Sequence, residues 1–273
     1  MFMLADSHIH IFENGYKNSG ESEISSYEEL IKDHSIKCAL VVGYEGESWA
    51  TGNNVYISSL AQTRKWIHPL AFLEVRNLHV TNLESLLVLG FEGISLYIFS
   101  ESEVSDLLAV DESVWAWLVD HNWMISVNSK SKFWDGWLEV MRSQPELTLL
   151  ISHLGLPSVD PQNLARMNIA QELSAVEKLH KYPNVYLKLS GFYALEQVNP
   201  TYPYPSLRNY LSYIVDNFDL NRLIWGSDFT PALITVTFPQ TFEHIFGLDS
   251  SEVIHSKSIL YENLIRLLSK LEK

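Results

Sequence analysis

The N-terminal stretch Phe2-Met3-Leu4-Ala5-Asp6-Ser7-His8-Ile9-His10-Ile11 has the apolar content of a β-strand and carries two histidines two residues apart. Side chains at positions i and i+2 of a strand point to the same side, so we expect His8 and His10 to converge on one point. The same alternation places Asp6 with the histidines and Ala5 on the opposite, apolar face. A single pair of this kind is a weak motif, because a histidine on a strand is more often structural than a ligand. The rest of the chain must decide between these interpretations.

Seven further apolar segments have strand length, and a segment of helical spacing separates each from the one before. After the first strand, the predicted strands are 38–44, 68–75, 93–99, 123–128, 147–154, 185–190 and 222–229, and the predicted helices are 26–34, 53–65, 83–89, 111–121, 133–144, 163–181, 205–217 and 251–271. Such alternation predicts a parallel sheet, and eight units predict an α/β fold closed into a TIM-like (β/α)8 barrel. We expect one domain over residues 1–273, since barrels reach this length and no linker divides the chain.

Polar residues recur where the predicted strands end. Asn128 ends the fifth strand, His153 the sixth, Lys188 and Ser190 the seventh, and Asp228 the eighth. The functional residues of a barrel lie at the C-terminal ends of its strands and face inward. Polar groups are costly inside an apolar core, so their recurrence at one end favours a functional site.

Composition narrows the possible partners. The net charge of −14 argues against nucleic acid and against an anionic membrane surface, since both attract positive proteins. We therefore expect a small-molecule substrate, while the oligomeric state stays open. The single cysteine, Cys38, excludes an intramolecular disulfide, and no secretion signal or membrane-spanning run is evident, so we expect a cytoplasmic protein.

Several motifs, taken in order, resemble those of one enzyme family. They are Asp6-Ser7-His8-Ile9-His10, Ser152-His153-Leu154-Gly155-Leu156-Pro157, Val185-Tyr186-Leu187-Lys188-Leu189-Ser190-Gly191, Trp225-Gly226-Ser227-Asp228-Phe229 and Tyr261-Glu262-Asn263-Leu264-Ile265-Arg266. The series is similar to that of the amidohydrolase-related branch of the amidohydrolase superfamily. That resemblance implies a distorted (β/α)8 barrel. It also implies one of three activities: a metal-dependent decarboxylase, a hydrolase, or a lactonase for sugar lactones or pyrone dicarboxylates.

The resemblance also implies roles for single residues. In metal-binding members, two first-strand histidines, a fifth-strand histidine and the eighth-strand aspartate hold a divalent ion, usually zinc. By this match, His8, His10 and Asp228 are expected metal ligands, and His153 is expected to bind or polarise the substrate.

Two departures from the family pattern leave alternatives open. The fifth strand ends at Asn128 and offers no histidine, so the protein either binds one divalent ion, most simply zinc, through three protein ligands or works without metal, as some lactonase-like members do. The fourth strand lacks the arginine of lactonases for carboxylated substrates. Arg76 and Lys188 are the remaining cations, and each either binds an anionic group or pairs with a neighbour such as Glu74.

These observations together predict a hydrolase for a small lactone or related carbonyl compound. Asp228 is the predicted catalytic base, and His153 the second catalytic residue. The predicted substrate contacts are Asn128, Lys188, Ser190, Tyr97 and Arg76. Residues 192–205, rich in tyrosine and proline, form either a lid or a surface loop. The alternatives are a metal-dependent decarboxylase or amide hydrolase on the same barrel, and a degenerate barrel that only binds small molecules.

Overall fold

Eight short apolar segments pair as parallel strands in the order of the sequence. The computed structural model describes residues 3–159, 165–195, 202–243, 245 and 256–271. The strands are β1 (Leu4–Ile9), β2 (Ile36–Val42), β3 (Ile67–Phe72), β4 (Gly93–Ile98), β5 (Met124–Ser129), β6 (Thr148–Ile151), β7 (Val185–Leu189) and β8 (Leu223–Trp225). A parallel bridge between Ile9 and Phe229 joins the last strand to the first, which makes the sheet a nearly closed barrel. The predicted (β/α)8 fold is therefore confirmed.

Helices surround the sheet. They are α1 (Glu23–His34), α2 (Asn53–Ala61), α3 (Val80–Val88), α4 (Glu101–Leu108), α5 (Glu112–Asp120), α6 (Trp134–Ser143), α7 (Arg166–Glu172), α8 (Ser174–Leu179), α9 (Phe192–Leu195), α10 (Leu207–Asn217) and α11 (Asn263–Leu271). A π-helical turn, Ser258–Glu262, leads into α11. Within the described ranges, no helix has the length and apolar character needed to cross a bilayer.

The helices differ from the predicted ones in three places, one of which is α9, a short helix at the start of the segment 192–205 that was predicted as a lid or a loop. Helix α4 was not predicted, although Ser100 and Glu103 give the Ser-x-x-Glu signal of a helix start: Ser100 Oγ accepts from the Glu103 amide, and Glu103 accepts from the Phe99 amide. The single predicted helix over 163–181 is two helices that meet at Leu173. Residues 160–164, 196–201 and 251–255, within the predicted helices and loop, lie outside the described residues.

The apolar core has two parts. The larger cluster lies between the strands and the surrounding helices and contains Ile9, Tyr27, Trp134 and Trp225 among many others. The smaller one includes barrel residues such as Leu40 and Leu70 and is completed by α11 through Leu264, Leu267 and Leu268. The C-terminal helix therefore packs against the barrel strands, while the opposite strand ends remain available for a site.

A buried imidazole joins α8 to the turn before β8. His180, 4% exposed, accepts a hydrogen bond at Nε2 from the Asp219 amide at 3.2 Å, and its carbonyl accepts from Arg222. Burial, reinforced by the Arg222 guanidinium, lowers the pKa of His180 to about 4. The folded protein therefore holds this imidazole neutral.

We expect this histidine to destabilise the fold in acid. The pKa falls from 6.5 to about 4 on folding, so the unfolded chain binds the proton first and stability is lost as pH falls from about 6.5 towards 4. His180→Gln, which keeps an acceptor for the Asp219 amide, should reduce the loss of unfolding free energy between pH 7 and pH 5 by about 2 kcal/mol. Urea unfolding at both pH values measures this, and an unchanged difference would contradict it.

Candidate active site

The polar residues at the strand ends meet at one end of the barrel. His8 lies in β1 with His10 just after it, and Asn128 is the next-to-last residue of β5. His153 and Asp228 follow the ends of β6 and β8 by two and three residues. Since the C-terminal ends of parallel strands share one rim of a barrel, residues far apart in sequence come together there.

His8, His10 and Asp228 form a tight group. The Nε2 atoms of His8 and His10 are 3.1 Å apart, and each lies 3.7 Å from Asp228 Oδ1. His10 Nδ1 contacts the Val42 carbonyl at 2.7 Å. A carbonyl only accepts, so His10 carries its proton on Nδ1 and presents the Nε2 lone pair to the group.

His153 joins this group from the other side. Its ring centroid is 4.6 Å from that of His8, and ligand atoms of His8, His153 and Asp228 lie within 4.8 Å of one another. Ser190 Oγ accepts from the His153 amide at 3.3 Å and lies 3.0 Å from His153 Nδ1. The Ser190 hydroxyl is thus free to donate to Nδ1, which leaves the Nε2 proton of a neutral His153 as a donor.

Gly191 allows His153 to approach the main chain. Its φ is +67°, and a Cβ built at this position would lie 2.3 Å from His153 Nδ1. A larger residue would displace the imidazole, so the glycine that follows Ser190 is a requirement of the site.

Lys188 supports the histidines from behind. It has no exposed surface, donates to Ser126 Oγ at 2.8 Å, and places Nζ 3.2 Å from His8 Nδ1. Burial lowers the pKa of Lys188 to about 7, against the opposing pull of Asp228 and Asp6. Neither Lys188 nor Ser190 lines the cavity described below, so their predicted substrate contacts stay predictions.

Burial holds the imidazoles neutral. It lowers the pKa of His153 to about 3 and that of His8 well below its usual value, and in both cases the Lys188 charge adds to the effect. The pKa of His10 is also lowered by burial, although Asp228 opposes this. Neutral imidazoles are the form that binds metal ions.

Asp228 is held by a tyrosine. Tyr193, in α9, donates its hydroxyl hydrogen to Asp228 Oδ2 at 2.9 Å. Burial raises the pKa of Asp228, while His10, Tyr193 and Lys188 oppose that rise. Tyr193 was not among the predicted site residues, since it was placed only in the segment 192–205, predicted as a lid or a loop. Of that segment, residues 196–201 lie outside the described residues.

The predicted grouping of Asp6 with the two histidines is wrong. Its carboxylate accepts hydrogen bonds from the Tyr27 hydroxyl of α1 at 3.0 Å and from the amides of Ser227 and His8 at 2.9 and 3.2 Å, so its bonds are to Tyr27 and the main chain and not to the imidazoles. Ala5, predicted on the opposite, apolar face, packs in the barrel cluster that contains Leu40. The reason is an irregular register of β1 against β2 on both sides of Asp6, which breaks the strict alternation.

A cavity of about 660 Å³ opens directly above the group. Its inner end is lined by His10, Tyr97, Asn128, His153, Tyr193 and Asp228. Asn128 is 3% exposed, and its Nδ2 has no hydrogen-bond partner among the described residues. A buried amide group without a partner is costly, so Asn128 offers a donor that a ligand can satisfy. Arg76, predicted to bind substrate, also lines the cavity and is paired with Glu74 at 2.7 Å.

The residues present fit a divalent metal ion. His8, His10 and Asp228 supply two imidazole nitrogens and a carboxylate, the donors that zinc prefers, while the third imidazole, His153, carries its proton on Nε2 and stays a hydrogen-bond donor. The His10–Val42 contact is the kind of outer hydrogen bond that orients a ligating histidine. His8 can offer Nε2 to a metal ion only in the tautomer that carries its proton on Nδ1, the atom next to Lys188 Nζ. Nζ must then accept that proton's hydrogen bond, so the lysine must be neutral, and the lowered pKa of Lys188 favours this form.

The comparisons with known proteins define the class of this chain. A family model described as amidohydrolase matches residues 5–256, so the chain belongs to the amidohydrolase family of hydrolytic enzymes. This confirms the resemblance drawn from the motifs. Among curated proteins, no sequence matches the chain.

Solved structures of similar fold agree with the family. An amidohydrolase from Burkholderia multivorans with bound zinc has a TM-score of 0.80 at 15% identity, covering 98% of this chain and 99% of that chain. A probable 2-pyrone-4,6-dicarboxylic acid hydrolase from Acinetobacter baumannii with bound citric acid has a TM-score of 0.72 at 18% identity, covering 97% and 99%. Amidohydrolase 2 from Bifidobacterium longum subsp. infantis has a TM-score of 0.71 at 16% identity, covering 98% and 99%.

We expect the chain to bind one divalent ion. Protein expressed with added zinc and purified without chelator should contain about one equivalent by elemental analysis. His8→Ala and Asp228→Ala should each lose most of it, whereas His79→Ala, which changes an exposed histidine just before α3 that does not line the cavity, should not. Asn128→His should bind the ion more tightly, because it adds an imidazole at the same rim. Metal content that is unaffected by His8→Ala and Asp228→Ala would place the ion elsewhere.

Proposed function

We propose that this protein hydrolyses a small lactone or a related ester, with Asp228 as the base that deprotonates the attacking water. The observation that carries the proposal is the position of Asp228 at the inner end of the cavity, 3.7 Å from His8 and His10 and fixed by Tyr193. Ester hydrolysis needs a base beside the water and hydrogen-bond donors near the carbonyl oxygen, where negative charge develops. The inner end offers both.

Asp228 is suited to this role by its two oxygens. Oδ2 is occupied by the Tyr193 hydroxyl, while Oδ1 lies towards the histidines. A carboxylate held in one rotamer presents the same oxygen to water in every cycle, which reduces the entropy lost in reaching the transition state.

The donors for the carbonyl oxygen come from two other strands. His153 lines the cavity and has its Nδ1 next to Ser190 Oγ, which directs the Nε2 proton of a neutral imidazole towards a ligand. Asn128 brings the unpaired Nδ2 donor. Preorganised donors stabilise the charge that develops on the carbonyl oxygen when water attacks.

The chemical step balances without any further reactant. Asp228 takes one proton as the water oxygen bonds to the carbonyl carbon. The ring C–O bond then breaks, and the protonated Asp228 gives its proton to the leaving oxygen. The product is a hydroxy acid. A bound divalent ion would act as a Lewis acid and lower the pKa of water; His8, His10 and Asp228 are the residues that would hold it, while His153 keeps its Nε2 proton for the carbonyl oxygen.

The relatives in fold support this choice of substrate class. The Acinetobacter baumannii protein is named for a 2-pyrone, which is a cyclic ester. The absence of a histidine at Asn128 also favours the lactonase-like members, since the resemblance associates that change with them.

We expect Asp228→Asn to lower kcat by a factor of about 10² to 10⁴ on any lactone that the wild-type protein hydrolyses, because an amide cannot accept the proton from water. Steady-state kinetics, after a screen of lactones, measures this. Asp106→Asn, a carboxylate at the mouth of the same cavity, is the matched control and should retain kcat. Unchanged kcat in Asp228→Asn would contradict the assigned base.

Tyr193→Phe should have a smaller effect. It removes one hydrogen bond to Asp228 and leaves the base itself, so we expect kcat to fall about tenfold. KM should change little, since the hydroxyl acts on Asp228. A loss as large as that of Asp228→Asn would instead indicate that Tyr193 takes part in proton transfer.

A further inference from the structure

The outer half of the cavity is an aromatic wall, formed by Phe12, Tyr16, Tyr44, Trp49, Phe72 and Phe99. The rings contact one another: the centroids of Phe12 and Trp49 are 4.7 Å apart, and those of Tyr44 and Phe72 are 5.6 Å apart. Because the rings support each other, the wall exists before any ligand arrives. It offers the faces and edges of aromatic rings to the part of a substrate that lies away from the reacting carbonyl.

Carboxylates surround this wall. Glu47, Glu74, Glu103 and Asp106 all line the same cavity, and we call them the acidic rim. Arg76 is the only lysine or arginine among the described residues that line it. Its guanidinium donates to both carboxylate oxygens of Glu74, from Nε to Oε2 at 2.9 Å and from Nη2 to Oε1 at 2.8 Å and Oε2 at 2.7 Å, so its charge is already matched.

No lysine or arginine side chain among the described residues lines the inner end of the cavity. The unpaired donor there, Asn128 Nδ2, belongs to an uncharged amide. That donor is an independent sign that the cavity receives a ligand, since it is buried and lines the space without a partner. It can donate a hydrogen bond to a carbonyl or hydroxyl oxygen of the substrate, but it does not neutralise the charge of a substrate carboxylate bound near the rim.

We propose that the substrate is an organic cation: an ester or lactone with an apolar or aromatic body whose far end carries an ammonium group. Aromatic faces together with carboxylates attract such groups, by cation–π contacts and by Coulomb attraction. A carboxylated substrate would lose its water shell beside four carboxylates and receive a single, already paired guanidinium in return. This inference rests on the proposed hydrolysis at the inner end.

Three matched lactones test the inference. They share one ring and one side chain, which ends in trimethylammonium, in its uncharged isostere tert-butyl, or in carboxylate. At low ionic strength we expect kcat/KM for the trimethylammonium compound to exceed that for the tert-butyl compound about tenfold, and the carboxylate to be slowest. The advantage should shrink as salt is added. Equal values for the three compounds, or a faster carboxylate, would overturn the proposal.

Variants identify the source of the preference. Glu47→Gln with Asp106→Asn removes two charges of the rim, and the glutamine keeps an acceptor for Trp49 Nε1, which donates to Glu47 at 2.9 Å. We expect the ratio of kcat/KM for the trimethylammonium compound to kcat/KM for the tert-butyl compound to fall several-fold. Glu84→Gln, an exposed acid on α3 outside the cavity, should leave the ratio unchanged. An unchanged ratio in the double variant would contradict the role of the rim.

A binding measurement separates this inference from the proposed reaction. Calorimetric titration compares benzyltrimethylammonium with phenylacetate, which share a benzyl body and differ in charge. The protein could bind the cation and not the anion and yet hydrolyse none of the lactones. That result would refute lactone hydrolysis but support the charge preference. Equal or tighter binding of phenylacetate would overturn the charge preference, whatever the lactones do.

Discussion

Lys188 carries an amine into the barrel with no exposed surface, and the candidate site depends on how that amine is satisfied. Its Nζ contacts Ser126 and His8, and Asp228 and Asp6 oppose the lowering of its pKa. A buried charge without such partners would be strongly destabilising. In return, the lysine helps to keep His8 and His153 unprotonated. The inner end of the cavity is thus a set of neutral donors around one carboxylate.

The features that the sequence predicted correctly are those set by local pattern. Each strand is a short apolar run next to a helical segment, so the order of the eight strands follows from counting, and the barrel then brings His8, His10, His153 and Asp228 together. Helix α4 could also have been predicted, because Ser100 and Glu103 carry a recognised helix-start signal. Local rules sufficed wherever contacts within a few residues decide the structure.

What the sequence did not predict depends on contacts between distant segments. The alternation rule failed at Asp6 because β1 has an irregular register, and the carboxylate instead bonds to Tyr27 and Ser227, which binds β1 to α1 and to the end of β8. The Tyr193 bond to Asp228 joins positions 35 residues apart. The aromatic wall and the acidic rim of the cavity were not predicted for the same reason, since their residues come from the ends of several strands and the loops after them.

The ion pair at the mouth bears on how this site can change during evolution. Arg76 and Glu74 are exposed, and their pair joins residues two positions apart on a short turn after β3. Exposed pairs of this kind contribute little to stability. Loss of the Glu74 carboxylate would therefore cost the fold little and would leave an unpaired guanidinium facing the cavity. One substitution could in this way shift the preference from positively charged substrates towards negatively charged ones. The reacting residues deeper in the barrel would stay unchanged.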